Sequence, residues 1–370
     1  MAHQQLEQQF SEQIGLKTTF SEIYNPQPNA YLLKDIKLFV AGQKTLHIPS
    51  ARVEKNNQVW MIVIPRCELS WSNHRRLWET LQEHLDQHRS ESGESMRLRV
   101  DEVHFTDETL PSLYNLVAET SSTSDKSRLS TNFTLGKSQV KTPMQMVLET
   151  SNSTGVHVHW DTGDQQVALK QLAQAFPELK FATEETTFQG KIDWTQQQKD
   201  TQTEISGVLS GIELGPMLNS RSPHYIAGQA KLYLEQFKLH NNHIQSAHGW
   251  LIGREGQISL SLIQSAQAHL AVQPVFQTTA SAGSLIGYTK LGIEFQVDQD
   301  QLSLKGVCED FAPGTMIAGL ESPLVLEPAQ PWQPRLGLIP ALSSDSGFSV
   351  PATVQSATLL QWLATPSSDY

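Results

Sequence analysis

The chain has 370 residues, with 27 Lys and Arg against 38 Asp and Glu, a formal charge of −11, 38% apolar residues and only 18% charged ones. That composition excludes a membrane bundle, and the lack of clustered cations excludes nucleic-acid binding through a basic surface, where counterion release supplies the affinity. The two cysteines, Cys67 and Cys308, exclude a disulfide framework and a zinc site built from cysteine alone.

In chain order, Leu6, Phe10 and Ile14 step by four up to Gly15, so residues 3–14 read as an amphipathic helix. The first ten residues lack the basic start and apolar core of a secretion signal, so the chain as written is not addressed for export. Residues 59–64 form the longest apolar run, six residues, where a membrane-spanning helix needs about 20. That run is apolar on both faces and reads as a central strand. Leu77, Trp78, Leu81 and Leu85 mark a second helix over 74–89. A third runs from Val167 to Phe176 and is stopped by Pro177; residues 358–363 make a fourth, and Met217-Leu218 a single turn.

Most of the remainder alternates with a period of two, the mark of strands with one apolar and one wet face. Met96/Leu98/Val100, Phe133/Leu135, Met144/Met146/Leu148, Val156/Val158/Trp160, Ile192/Trp194, Ile205/Leu209, Ile258/Leu260/Leu262, Ile293/Phe295/Val297 and Leu302/Leu304 all follow it. Residues 232–239 are apolar on both faces. The fold class expected is mainly β, α+β overall: a long curved antiparallel meander or groove with a few short capping helices. Its 36 Gln and many Ser and Thr supply the wet faces.

Four segments are expected. Residues 1–118 form an α+β portion, and 119–131, with one apolar residue in thirteen, a flexible polar loop. Residues 132–321 form the curved sheet. Residues 322–370 form an acidic, Pro-rich tail with a short helix, since closely spaced prolines prevent continuous ladder pairing.

Chemistry-bearing motifs are sparse. His84 and His88 stand four apart but lack the Glu beside the first His that a metalloprotease needs, so a solvated helix face is the better reading. His157 and His159 share a strand face with Asp161, a conceivable three-ligand set, for which a wet face is again the simpler account. His240, His243 and His248 flank the turn Asn241-Asn242 and read as turn chemistry. Nucleophile-elbow, phosphate-loop and dinucleotide signatures are absent. Glu184-Glu185, Glu309-Asp310 and Asp298/Asp300 are carboxylate pairs with a bland reading as loop and turn solubility. No catalytic residue, cofactor or metal is therefore assigned.

The order of an N-terminal helix, Ile14-Gly-Leu-Lys-Thr18, Pro28, Leu33-Lys-Asp-Ile-Lys-Leu38 and Val59-Trp-Met-Ile-Val63 resembles the membrane-proximal start of AsmA-like bacterial envelope proteins. The later Gly-punctuated strands, residues 188–194, 207–214, 228–234, 248–249 and 256–260, are similar to that family's cadence, and closer still to AsmA-like proteins of planctomycete bacteria. The resemblance implies an envelope-facing β-groove associated with lipid movement or outer-membrane biogenesis, and transfers no catalytic residue. Members carry an N-terminal anchor, and this sequence begins downstream of where one would be: either its start is trimmed or mis-assigned or the resemblance is only architectural, so a cytoplasmic location stays open beside a periplasm-facing one.

If the apolar sheet face lines a groove for lipid acyl chains, its lining is Val156, Val158, Trp160, Ile192, Trp194, Ile258, Leu260, Leu262, Ile293, Phe295 and Val297. The alternatives are a protein-interaction module with a closed core, its partner surface in the Pro-rich C-terminal region, and a polysaccharide-active enzyme using Trp160, Trp194, Trp250 and Trp332.

Overall fold

The computed structural model of the chain describes residues 2–56, 59–73, 76–77, 80, 95–106, 110–123, 126–136, 142–151, 155–172, 183, 185–198, 200–217, 224–276, 283–308 and 310–342. It is mainly β with few short helices. The chain divides into two compact units, residues 1–165 with 193–199, and residues 166–192 with 200–370.

The first unit opens with the helix Ala2–Ile14, which ends at Gly15 with φ +72°. A left-handed residue just past the last turn is where glycine costs least. Glu7 and Ser11 accept from the backbone N–H groups of Phe20 and Thr18, and Phe10 meets Phe20 edge to face, so the helix is stitched to residues 18–20. Strands β1 (Lys17–Thr19), β2 (Glu22–Gln27), β3 (Ala30–Val40), β4 (Gln43–Asn56) and β5 (Val59–Leu69) come next. They are succeeded by β6 (Ser95–Phe105), β7 (Leu113–Ser122), β8 (Lys126–Leu135), β9 (Met144–Ser151) and β10 (Gly155–Asp161). Both β1 and β2 pair along one edge of β3, and the rest pair in chain order.

One pairing departs from the expected antiparallel meander: β5 and β6 are parallel. A parallel pair needs a long crossover, and the connection is residues 70–94, where the second helix was expected. Arg76, Leu77 and Thr80 are helical; the remainder of 74–89 lies outside the described residues. As expected, β5 is central, between β4 and β6. The unit's core is built by Leu33, Ile36, Leu38, Ile48, Val53, Ile64, Val100 and Val103.

The polar stretch 119–131 is not a loop. β7 runs to Ser122 and β8 starts at Lys126, with Ala118↔Thr131 and Thr120↔Leu129 in register. Its hydroxyls are compatible with a sheet because β-branched and small polar side chains can bond across strands. Ser122 and Ser127 hydroxyls lie 3.2 Å apart, and Thr131 Oγ1 donates to the Met146 carbonyl. The division between units falls instead at residue 165.

The second unit contains β11 (Val167–Ala168), the first half of β12 (Thr187–Gln197), β13 (Asp200–Glu213), β14 (Ile226–His240) and β15 (His243–Ser259). After these come β16 (Gln273–Pro274), β17 (Leu285–Tyr288), β18 (Lys290–Asp298), β19 (Gln301–Gly306), β20 (Thr315–Ala318), β21 (Pro323–Leu326) and β22 (Gln333–Pro334). The expected helix from Val167 is a two-residue strand and one helical turn, Leu169–Leu172, with residues 173–180 outside the described set. Residues 215–217 make the expected single turn, and 358–363 lie outside the described residues.

Long strands β13, β14 and β15 bend through register shifts at Ile205/Gly207, Leu209/Ile212, Gly228/Ala230 and Leu234/Gln236. Each bulge lets the apolar set return to one face and increases local twist. Tyr288 lies over Gly228 and Gly256 and donates to the Ala227 carbonyl at 2.8 Å, so any side chain at those glycines would collide with its ring.

The alternation at Ile258/Leu260/Leu262 ends differently from expectation. Ser259 caps a helix, Leu260–Leu270, by accepting from the Leu262 N–H. A Ser preceding a run of apolar residues fits a capped helix as well as a strand. The Pro-rich region is also no tail: residues 323–342 supply Val325 and Ala341 to the core and place Arg335, 3% exposed, against the Ile244 carbonyl. The prolines do limit pairing, to four residues in β21 and two in β22.

Candidate apolar groove

In the second unit the cross-strand registers place one apolar face in rungs. One rung is Ile212, Ala230, Gly253, Leu291 and Ile317; the next is Leu209, Leu232, Leu251 and Ile293. A third is Gly207, Leu234, Gly249, Phe295 and Leu304, and a fourth Ile205, Phe237, Ala247, Val297 and Leu302.

Coverage varies along this face. The first rung is buried, under a core that includes Leu262, Ile263, Leu270 and Val272 from the Leu260–Leu270 helix and the residues after it. In the fourth, Ala247, Val297 and Leu302 are buried as well. Between them, Leu209, Leu232, Leu234, Leu251, Ile293, Phe295 and Leu304 are only half-buried. Leu251, Ile293, Phe295 and Leu304 lean on the core, whereas Leu209, Leu232 and Leu234 are not among the side chains packed against it. Gly249 sits in the floor, where a Cβ would come 2.1 Å from the Tyr233 carbonyl oxygen and 3.0 Å from the Phe295 ring.

The lining inferred from alternation thus divides. Ile293 and Phe295 belong to the half-open stretch. Ile258 (3% exposed), Leu260 (3%), Leu262 (8%) and Val297 (7%) are buried core, and Leu260 and Leu262 are helical, so these four line no open surface. Val156, Val158 and Trp160 lie in the first unit, half-buried, on the face of Thr150, Leu148 and Met146, and Trp194 is half-buried in the same unit. Ile192 is half-buried in the second. Leu209, Leu232, Leu234, Leu251 and Leu304 were legible as strand residues but carried no mark of openness, because alternation does not record what covers a face.

No catalytic constellation emerges among the described residues. Burial, with Glu68 alongside, pushes the Cys67 thiol up to about 12, and burial raises that of Cys308, so neither is a thiolate nucleophile near neutral pH. Among the carboxylate pairs, Glu185 accepts from Gln229, Asp310 pairs with Lys290 and Asp300 faces Arg335; Glu184 and Glu309 lie outside the described residues. A notch of about 440 Å³ over β2 and β3 is lined by Ser21, Ile23, Tyr24 and Leu32 beside the Lys34–Glu22 ion pair. Among the described residues no three His, Cys, Asp or Glu side chains are placed to hold a metal ion, and no helix is long and apolar enough to cross a membrane.

The histidines divide. His84 and His88 lie outside the described residues. His240 and His243 close the hairpin around Asn241 and Asn242, both left-handed, as the turn reading requires. His248, by contrast, sits within β15, between Glu235 and Glu294. His157 and His159 meet Asp193 of β12, while Asp161 caps the adjoining turn by accepting from the Gly163 N–H.

Comparison with known proteins found no family model, no curated protein and no solved structure that matches the chain.

Proposed function

We propose that the chain is a non-enzymatic, envelope-associated β-groove protein that takes lipid acyl chains on the half-open face of its second unit, in outer-membrane biogenesis or maintenance. The single observation that carries the reading is the half-buried stretch Leu209, Leu232 and Leu234, in register with Leu251, Ile293 and Phe295. Completing the burial of half-buried apolar side chains gains roughly 25 cal/mol per Å², so an apolar occupant is favoured there. The resemblance of its strand cadence to AsmA-like proteins suggests the envelope setting, and the engagement of Glu185, Asp310 and Asp300 with Gln229, Lys290 and Arg335 favours binding over catalysis.

The test is uptake of a fluorescent fatty acid by the purified chain after solvent extraction. Saturable uptake that Leu232→Asp abolishes, with the circular dichroism spectrum unchanged, is the expected result. No uptake by the extracted wild type contradicts it. The second reading, a closed-core interaction module without a ligand, draws on the burial of Ile258, Leu262 and Val297. It predicts no uptake by the wild type, and that Leu232→Asp destabilises the fold by burying an unpaired charge.

A further inference from the structure

Three histidines on wet sheet faces repeat one geometry. His47 on β4 places Nε2 3.0 Å from Asp35 of β3 and Nδ1 3.4 Å from Glu68 of β5. His157 on β10 places Nε2 3.3 Å from Asp193 of β12 and Nδ1 3.8 Å from Glu149 of β9. His248 on β15 places Nδ1 2.7 Å from Glu235 of β14 and Nε2 3.6 Å from Glu294 of β18. In each case both ring nitrogens face a carboxylate, one from each flanking strand.

A neutral imidazole has one N–H donor and one bare nitrogen, so it can serve only one of two carboxylates and turns a lone pair toward the other. The imidazolium donates from both nitrogens. We infer that His47, His157 and His248 are proton-operated clasps, each tying three adjacent strands together when the ring is charged and loosening them when the ring is neutral. This inference does not depend on the lipid reading.

The neighbours of each ring set the balance. Around His47 stand Lys37, which pairs with Asp35, and His104 and Arg66, which share the β5–β6 ladder with Glu68. His157 has His159, also bonded to Asp193 at 2.8 Å, with Lys126 and Arg128 on Glu149 and Asp161 on its own strand. Around His248 are Lys305, paired with Glu294, and the Trp250 ring, 4.9 Å away. The cations do not displace the imidazoles, because each carboxylate has several acceptor positions. Three of the carboxyls are held below their usual range. For Asp35 the hydrogen bonds from Lys37 and then His47 do this; for Glu149 and Glu294 burial pulls upward, and the lysine and histidine contacts outweigh it. These three carboxylates therefore stay charged through the range in which histidine ordinarily titrates, near 6.5.

A charged ring holds both carboxylates and a neutral ring only one, so each clasp is tighter at acidic than at alkaline pH. The test is urea unfolding of the intact chain at pH 6 and pH 8, in wild type and in a variant carrying His47→Gln, His157→Gln and His248→Gln. A higher midpoint at pH 6 in the wild type, with the difference lost in the variant, is expected; equal pH dependence in both overturns the inference. Should the triple variant fail to fold, the same urea midpoints are compared in Glu68→Gln, Glu149→Gln and Glu235→Gln, each of which unties one clasp and is expected to shrink the difference between pH 6 and pH 8. A difference undiminished in all three overturns the inference.

Discussion

Within the second unit the same apolar face is closed in one region and open in another. At the closed end the Leu260–Leu270 helix lays Ile263 and Leu270 over Ala230, Leu291 and Ile317, and residues 323–342 add Val325 and Ala341. Further along, Leu232 and Leu234 share the same strand and are as hydrophobic, but are not packed against that core. Burial is thus set less by the strand than by what the chain sends across it, and a strand's composition does not reveal whether it lines a core or a surface.

The sharpest way to break this contrast is to end the chain at residue 321. That removes Val325, Arg335 and Ala341 together, and the second unit is expected to lose its cooperative thermal transition while the first keeps its own. Retention of both transitions would return the Pro-rich region to the status of a dispensable tail. Next in size is Ile263→Ala, a fully buried side chain: a loss of roughly 2–5 kcal/mol in urea unfolding is expected, against about 1 kcal/mol or less for Leu232→Ala. Similar losses at both positions would mean that the face is equally closed throughout.

Gly249→Ala tests the floor of the open stretch. The added methyl meets the Tyr233 carbonyl and Phe295 ring, so a loss of about 1–3 kcal/mol is expected, measured the same way. Removing the helix cap with Ser259→Ala should cost about 1 kcal/mol and leave the open stretch unaffected. The smallest effect concerns Glu294 on the opposite, wet face. Its carboxyl is held down by Lys305 and His248 against burial, so its contribution is present above the ordinary carboxylate range and is lost as pH falls through its lowered value. Lys305→Met should reduce stability at pH 7 by less than about 1 kcal/mol and leave it unchanged well below about pH 4, as urea midpoints would show.

Much of the fold was legible. Alternation located the strands around Val100, Leu148, Trp160 and Phe295, and the two-sided runs at 59–64 and 232–239 are central strands as expected. Residues 119–131 misled because low hydrophobicity does not by itself mean a loop: Ser and Thr pair across strands through hydroxyls. Ile258, Leu260 and Leu262 misled because three apolar residues at even spacing are too short a sample to separate period 2 from 3.6, and the deciding signal was the cap, Ser259. The candidate site was less legible than the fold: alternation grouped the half-buried Ile293 and Phe295 with the buried Leu260, Leu262 and Val297. The histidine partners Asp193 and Glu235 depend on strand register, which local pattern does not encode.

The most direct test of the open stretch is photo-crosslinking of a diazirine-bearing fatty acid to the full chain, with peptide mapping of the label. Label concentrated on β13, β14 and β18, around Leu209, Leu232, Leu234 and Phe295, is the result the groove account predicts. No specific label, or label that excess unmodified fatty acid fails to compete away from those strands, would contradict it.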